Sequence, residues 1–158
     1  MINRFYNKLK KRFSYITYRP LATREEYLAL HEDCKLEKFS VIDKFEESSG
    51  FKIDRDYFEN LALHTQICIK KSRLNYQHGR ILYATLSKYI HDNSCNSVNI
   101  IETGTARGFS SICMSKAIND IGKKGLIHTC DIIPHNKNIY WNCIDDLDSK
   151  KTRKELLS

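Results

Sequence analysis

Glu102 and Asp131 each close a short apolar run, and a Gly104-Thr105-Ala106-Arg107-Gly108 turn follows the first of them. A carboxylate at a strand tip accepts hydrogen bonds from hydroxyls and pairs with cations, and glycines beside it let a ligand lie against bare backbone. Such a pair suits a ligand that offers hydroxyls or cationic groups. Singly, Glu102 could merely cap its turn and Asp131 merely leave its strand; their joint placement is what points to a site. His128 and His135 lie in or just after the second run, where histidines are more often structural than catalytic.

Cysteines stand at 34, 68, 95, 113, 130 and 143, and no two of them form a Cys-x-x-Cys pair. Neither a zinc site nor a disulfide framework is expected, no metal ligand is identified, and a reducing compartment is implied. Cys113 and Cys130 fall inside apolar patterns, where a thiol behaves as a small hydrophobe.

The elements that must position the two carboxylates are legible around them. Val98, Ile100 and Ile101 make a strand, Ile112, Ala117 and Ile118 a helical stripe, and residues 126–131 a second apolar run. Two buried strands joined by one helix form a βαβ unit, which takes about 30 residues and crosses over right-handedly. In an open α/β sheet, ligands bind beyond the carboxyl ends of the strands, where Glu102 and Asp131 both lie. The expected fold class is α/β: the start of a Rossmann-like doubly wound parallel sheet, preceded by N-terminal helices and incomplete.

Upstream, Thr23 and Glu26 have capping-box spacing, so a helix should start there and run to about Lys38. Residues 39–45 either extend it or begin a second piece, and Ser48-Ser49-Gly50 reads as a break. Asp54 caps a helix with apolar positions Tyr57, Phe58, Leu61, Ala62, Thr65, Cys68 and Ile69. A third helix carries Ile81, Leu82, Leu86, Tyr89 and Ile90. Downstream, Pro134 ends the second strand, and a short basic helix over 150–157 follows, with Asp148 or Ser149 as cap. Three regions result: a basic segment 1–20, a helical lead-in 21–95 and the βαβ unit 96–158.

The net charge of +7 is local, because residues 1–20 hold six basic side chains and no acid, leaving 20 basic and 19 acidic residues elsewhere. The segment reads as a solvated helix with weak contact to an anionic membrane surface, and a nucleic-acid partner is not expected. No run approaches the roughly 18 apolar residues of a membrane span, and no secretory apolar centre is present, so a cytoplasmic protein is expected.

A dinucleotide fingerprint, Gly-x-Gly-x-x-Gly, would place Ala106 at its second glycine and Phe109 at its third. That weakens an NAD(P)-dependent oxidoreductase reading without removing it, and no P-loop occurs. The stretch from Glu102 through Thr103, Gly104, Thr105, Ala106, Arg107, Gly108 and Phe109 to Ser110 resembles motif I of class I S-adenosylmethionine-dependent methyltransferases, in the form of the catechol O-methyltransferase-like branch and of a bacterial methyltransferase-like group. Asp131, 23 residues after Gly108, is similar to that fold's motif II carboxylate, and the helix opening at His78-Gly79-Arg80 to its helix before the first strand. The resemblance covers residues 75–135.

It implies S-adenosylmethionine as cofactor, with backbone at Gly104, Thr105, Ala106 and Gly108 against it and Ser110 on the methionine carboxylate. Asp131 would take the ribose hydroxyls, Ile132 would pack on the adenine, and Glu102 would organise the turn or meet the amino group. Arg107 is expected to be a solvent-exposed turn residue. Methyl transfer to a hydroxyl of a small molecule or sugar needs in-line placement and a base or metal. In the family those residues lie after later strands, and only 27 residues follow Asp131. The chain is therefore expected to be a cofactor-binding N-terminal portion, inactive alone, with an unpaired strand edge and no assignable catalytic residue. A third reading, beside enzyme and oxidoreductase, is a non-catalytic interaction remnant working through the basic segment. Acceptor and oligomeric state stay open.

Overall fold

The computed structural model describes residues 19–133 and 135–157. Among them the architecture is mixed α/β, with six α-helices, one short 3-10 turn and one two-stranded parallel sheet. The expectations for residues 1–18 and for Pro134 lie outside the described residues.

Helix α1 (Arg24–Lys35) begins at its capping box: Glu26 N donates to Thr23 Oγ1 at 3.3 Å, and Thr23 N donates to the Glu26 carboxylate at 2.7 Å. Two orphan donors of the helix end are thereby satisfied. Residues 40–45 belong to a separate helix, α2 (Ser40–Ser49), with Phe39 just ahead of it, and Gly50 terminates it with φ of 76°, a conformation that favours glycine. Helix α3 (Arg55–Thr65) is capped by Asp54, whose carboxylate accepts from Tyr57 N at 2.8 Å.

Helix α3 stops four residues short of the expected Ile69. The Asn142 side chain captures Ile69 on both sides, accepting from its N–H at 3.0 Å and donating to its carbonyl at 2.8 Å. With its N–H on Asn142, Ile69 cannot close the bond to Thr65 O that a continued helix would need. Helix α4 (His78–Asp92) buries Tyr83, Ala84, Ser87 and Ile90, whereas Ile81 and Tyr89 of the expected stripe are exposed. It packs tightly on the next helix at Gly79, where a Cβ would sit 2.6 Å from the Phe109 ring.

Strand β1 (Ser97–Thr103), helix α5 (Phe109–Asp120) and strand β2 (Lys124–Cys130) form the βαβ unit, with Ile100 opposite Ile127 and Glu102 opposite Thr129. Ile90, Val98 and Ile118 bury the inner face of the sheet, with Ile100 and Ile127 packed beside them. Among the described residues nothing covers the outer face: Ile101 is 79% exposed and Leu126 55%. The expectation of two buried strands is thus corrected, since apolar runs reveal affinity for a cover and not the cover itself; parallel sheets are otherwise covered on both faces. Cys130, expected among core positions, is exposed for the same reason. Two strands and one crossover define this unit and no wider topology.

The main core joins Tyr27, Phe58, Tyr76 and Tyr83 to Phe109, Cys113 and Ile144, so the lead-in helices and the βαβ unit share one apolar interior. The Phe109 ring lies 5.7 Å from Phe58 and 5.1 Å from His78. Buried charges are matched: Arg80 pairs with Glu46 and with Asp43 (2.6 Å), tying α2 to α4, and Tyr76 donates to Glu59 at 2.5 Å.

The C-terminal helix α6 (Arg153–Leu156) is shorter than expected and is capped by Thr152, with Glu155 completing a capping box, in place of Asp148 or Ser149. Lys151 is diverted into an antiparallel bridge, with its N–H 3.1 Å from the Ile139 carbonyl and the reverse bond of equal length. Among the described residues no helix is long and apolar enough to cross a membrane.

Candidate functional site

The turn between β1 and α5 extends the strand pairing by one residue, since Gly104 N donates to Cys130 O at 2.7 Å. Gly104 has φ of 85° and Gly108 φ of 83°, and Ala106 between them is also left-handed at 45°. Three positive φ values fold the chain back tightly enough for the Ala106 N–H to face the end of β2. Asp131 meets it there, with Oδ2 accepting from Ala106 N at 2.5 Å and Oδ1 from Ile133 N at 2.8 Å. One carboxylate thereby fastens the end of the second strand to the turn that leaves the first.

Glu102 has a different partner. It accepts the Ser111 hydroxyl of α5, so its charge is held on the helix while that of Asp131 is held on the turn. Thr105 is 7% exposed, and among the described residues its hydroxyl has no hydrogen-bond partner. Ser110 is half-buried in the first turn of α5, and Ile132 is 71% exposed beyond β2. The structure therefore brings Ala106 and Asp131 together, leaves Gly104 open and sets Glu102 aside on Ser111. His128 and His135 are both exposed.

Arg107 corrects its expectation. It is half-buried, and it donates to the carbonyls of Trp141 (2.6 Å), Thr65 (3.1 Å) and Asn142 (3.2 Å). One guanidinium so joins the turn to the end of α3 and to the segment that follows β2. No residue-type pattern could have revealed this, because every acceptor is a backbone carbonyl.

That following segment is itself built. Asp146 collects the N–H groups of Trp141 (2.6 Å), Asn142 (2.6 Å) and Cys143 (3.3 Å). Burial pushes its carboxyl above the ordinary range, against the pull of those three donors. Trp141, Cys143 and Leu156 form a small core of their own. His64 reaches across from α3 to Asp145 at 2.7 Å, and Lys151 reaches the same carboxylate at 3.1 Å. The hydrogen bond that the protonated ring donates to Asp145 raises the His64 imidazole; burial would raise Asp145, but His64 and Lys151 outweigh it and hold that carboxyl low.

The segment ends on the turn. Arg153 stacks its guanidinium 5.5 Å from the Trp141 ring centre, donates through Nε to Ala106 O at 2.8 Å and through Nη2 to Ile133 O at 3.3 Å, and places Nη2 3.3 Å from Asp131 Oδ2. Leu157 lies on Gly108 so closely that a Cβ there would meet its Cδ1 at 2.6 Å.

These contacts decide whether an adenosine-type cofactor fits. Gly104 offers open space and Thr105 an unpaired hydroxyl, yet Arg153 holds the Asp131 carboxylate and Leu157 covers Gly108. In this conformation the residues do not fit the group. Among the described residues no cluster of three or more His, Cys, Asp or Glu is arranged to hold a metal ion. Comparison with protein-family models, curated proteins and solved structures finds no match to this chain.

Proposed function

We propose that the chain is the cofactor-binding portion of an S-adenosylmethionine-dependent methyltransferase acting on a hydroxyl of a small molecule or sugar. The observation that carries this reading is the Asp131 carboxylate at the end of β2, bonded to Ala106 N in the turn between β1 and α5. An acceptor-only group at the carboxyl end of a parallel strand suits vicinal ribose hydroxyls. The donor carries no phosphate, so the dinucleotide glycines absent at Ala106 and Phe109 are not required of it. Gly104, Thr105, Ala106, Gly108 and Ser110 would line the amino-acid end, Ile132 the base, and Glu102 would brace the turn through Ser111.

The dinucleotide reading is less favoured by one feature. Phe109, at the third glycine position, is 2% exposed and packed on Phe58 and His78, where a glycine would let helix and strand close together. Isothermal titration of the full chain with S-adenosylhomocysteine and with NAD separates the two. Binding of S-adenosylhomocysteine that Asp131→Ala abolishes, with the helical circular dichroism unchanged, supports the proposal; tighter binding of NAD overturns it.

A further inference from the structure

Residues 152–157 cover the two features of the crevice that a nucleoside ligand would need, the Asp131 carboxylate and the bare backbone of Gly108. We infer that this segment is a displaceable latch, closed by Arg153 and Leu157, whose opening as a unit uncovers both. The inference rests on the reading of the crevice as a nucleoside site only for the identity of what enters; the latch itself is a property of the chain alone.

Four observations separate the latch from the body it closes on. First, α6 spans only Arg153–Leu156, and one turn of helix is not stable in water without tertiary support. Second, that support is small: Leu156 is 8% exposed in a small core with Trp141 and Cys143, flanked by Ile133 and Ile139, and Leu157 remains 38% exposed on Gly108. Third, the backbone anchorage of the preceding chain ends at Lys151, bridged to Ile139 with its carbonyl also accepting from Trp141 Nε1, and from Thr152 onward the one backbone bond to the body among the described residues is Arg153 N–H to His135 O at 3.2 Å. Fourth, beside the 2.8 Å bond from Arg153 Nε to Ala106 O, the contact that covers Asp131 is a 3.3 Å ion pair between shielded groups, Arg153 at 11% and Asp131 at 6% side-chain exposure. Such a pair repays little more than the hydration it displaces, so breaking it while wetting both partners costs far less than unpacking the main core.

The geometry also gives the exchange its chemistry. Arg153 presents N–H donors to Asp131 and to the carbonyls of Ala106 and Ile133. A ligand with two adjacent hydroxyls replaces the donors at the carboxylate, and the guanidinium leaves for solvent still charged. No covalent step is involved.

Hydrogen exchange and carboxyl labelling test the latch without any ligand. The amides of Leu156 and Leu157, bonded to Thr152 O and Arg153 O, should exchange faster than those of α5 in the wild-type chain. In Arg153→Gln they should exchange about tenfold faster again, with carbodiimide labelling of Asp131 rising in step and α5 unchanged. Exchange of Leu156 and Leu157 no faster than α5 overturns the latch. Should Arg153→Gln not fold, Leu157→Ala reads the same amides and the same carboxylate. S-adenosylhomocysteine should bind Arg153→Gln about tenfold more tightly than wild type, because less of the protein is closed. An open latch with no binding to either protein leaves the latch standing and removes the cofactor reading.

Discussion

Arg153 and Asp131 form a shielded ion pair, Nη2 to Oδ2 at 3.3 Å, that joins the last helix to the end of β2. Breaking a buried pair from one side leaves the other charge without compensation, which is strongly destabilising, whereas replacing both partners is nearly neutral. Because the segment that carries Arg153 can open and wet its guanidinium, Asp131→Ala should lower the stability of this chain by less than a trapped charge would, about 1–3 kcal/mol in urea unfolding, as the ion pair is lost and the N–H groups of Ala106 and Ile133 lose their acceptor. Asp131→Ala combined with Arg153→Met should recover part of that loss; no recovery would mean that the two backbone donors on Asp131, Ala106 N and Ile133 N, account for the whole effect.

Two glycines should respond oppositely to their surroundings. A Cβ at Gly79 would lie 2.6 Å from Phe109 Cζ and 2.8 Å from Cys113 Sγ, both in the core. Gly79→Ala therefore loses roughly 1–3 kcal/mol to overpacking, offset by about 1 kcal/mol of helix propensity. Gly104 meets nothing within 4 Å, and Gly104→Ala carries only the cost of its left-handed backbone, about 1–2 kcal/mol. Circular dichroism melts of the two variants, with near-ultraviolet signal as the report on packing, distinguish them: only Gly79→Ala should disturb the aromatic environment.

The local parts of this fold are written in residue types, and the remote parts are not. Thr23 with Glu26 and Asp54 announce helix starts because the cap and its donor lie within three residues. The βαβ unit and the positions of Glu102 and Asp131 follow from apolar runs punctuated by glycine. The stop of α3 at Thr65 depends on Asn142, and Arg107 on three carbonyls, neither of which a spacing rule can encode. Arg153 sits in a basic stretch indistinguishable from any solvated helix, so its place on Asp131 was invisible. Ile101 and Leu126 mislead for a converse reason: their type says that they would be buried, and the described residues supply nothing to bury them.

The pair of His64 and Asp145 makes the attachment of residues 139–147 pH-dependent. His64 is raised above its ordinary 6.5 by the Asp145 hydrogen bond, so its contribution is complete below 6.5 and fades as pH climbs through the raised value. Asp145 is held below its ordinary 3.8, burial notwithstanding, so its contribution is complete above 3.8 and fades as pH falls through the lowered value. The segment should be held best in weakly acidic solution between these limits. Imidazole proton shifts in an NMR titration check this: Asp145→Asn should return His64 toward 6.5, and an unchanged midpoint would mean that another group raises it.

Cysteine reactivity should follow burial. All six thiols are free, with Cys130 exposed. Burial pushes the thiols of Cys113 and Cys143 up to about 12, which starves them of the thiolate that alkylation requires. Iodoacetamide at neutral pH, followed by peptide mass spectrometry, should label Cys130 first and leave Cys113 and Cys143 unlabelled until denaturant is added. Early labelling of Cys143 would mean that its small core with Trp141 opens readily.

Asn142 has one further consequence, for synthesis. Its amide serves Ile69, 73 positions earlier, and its oxygen also accepts from Tyr27 at 3.4 Å, 115 positions earlier. While the ribosome is still translating the second strand, the Ile69 N–H and carbonyl lack this partner and must stay hydrated. The first helices can assemble early, but their seam closes only when codon 142 has been read and its product has cleared the exit tunnel. Until then the nascent chain presents that seam to chaperones.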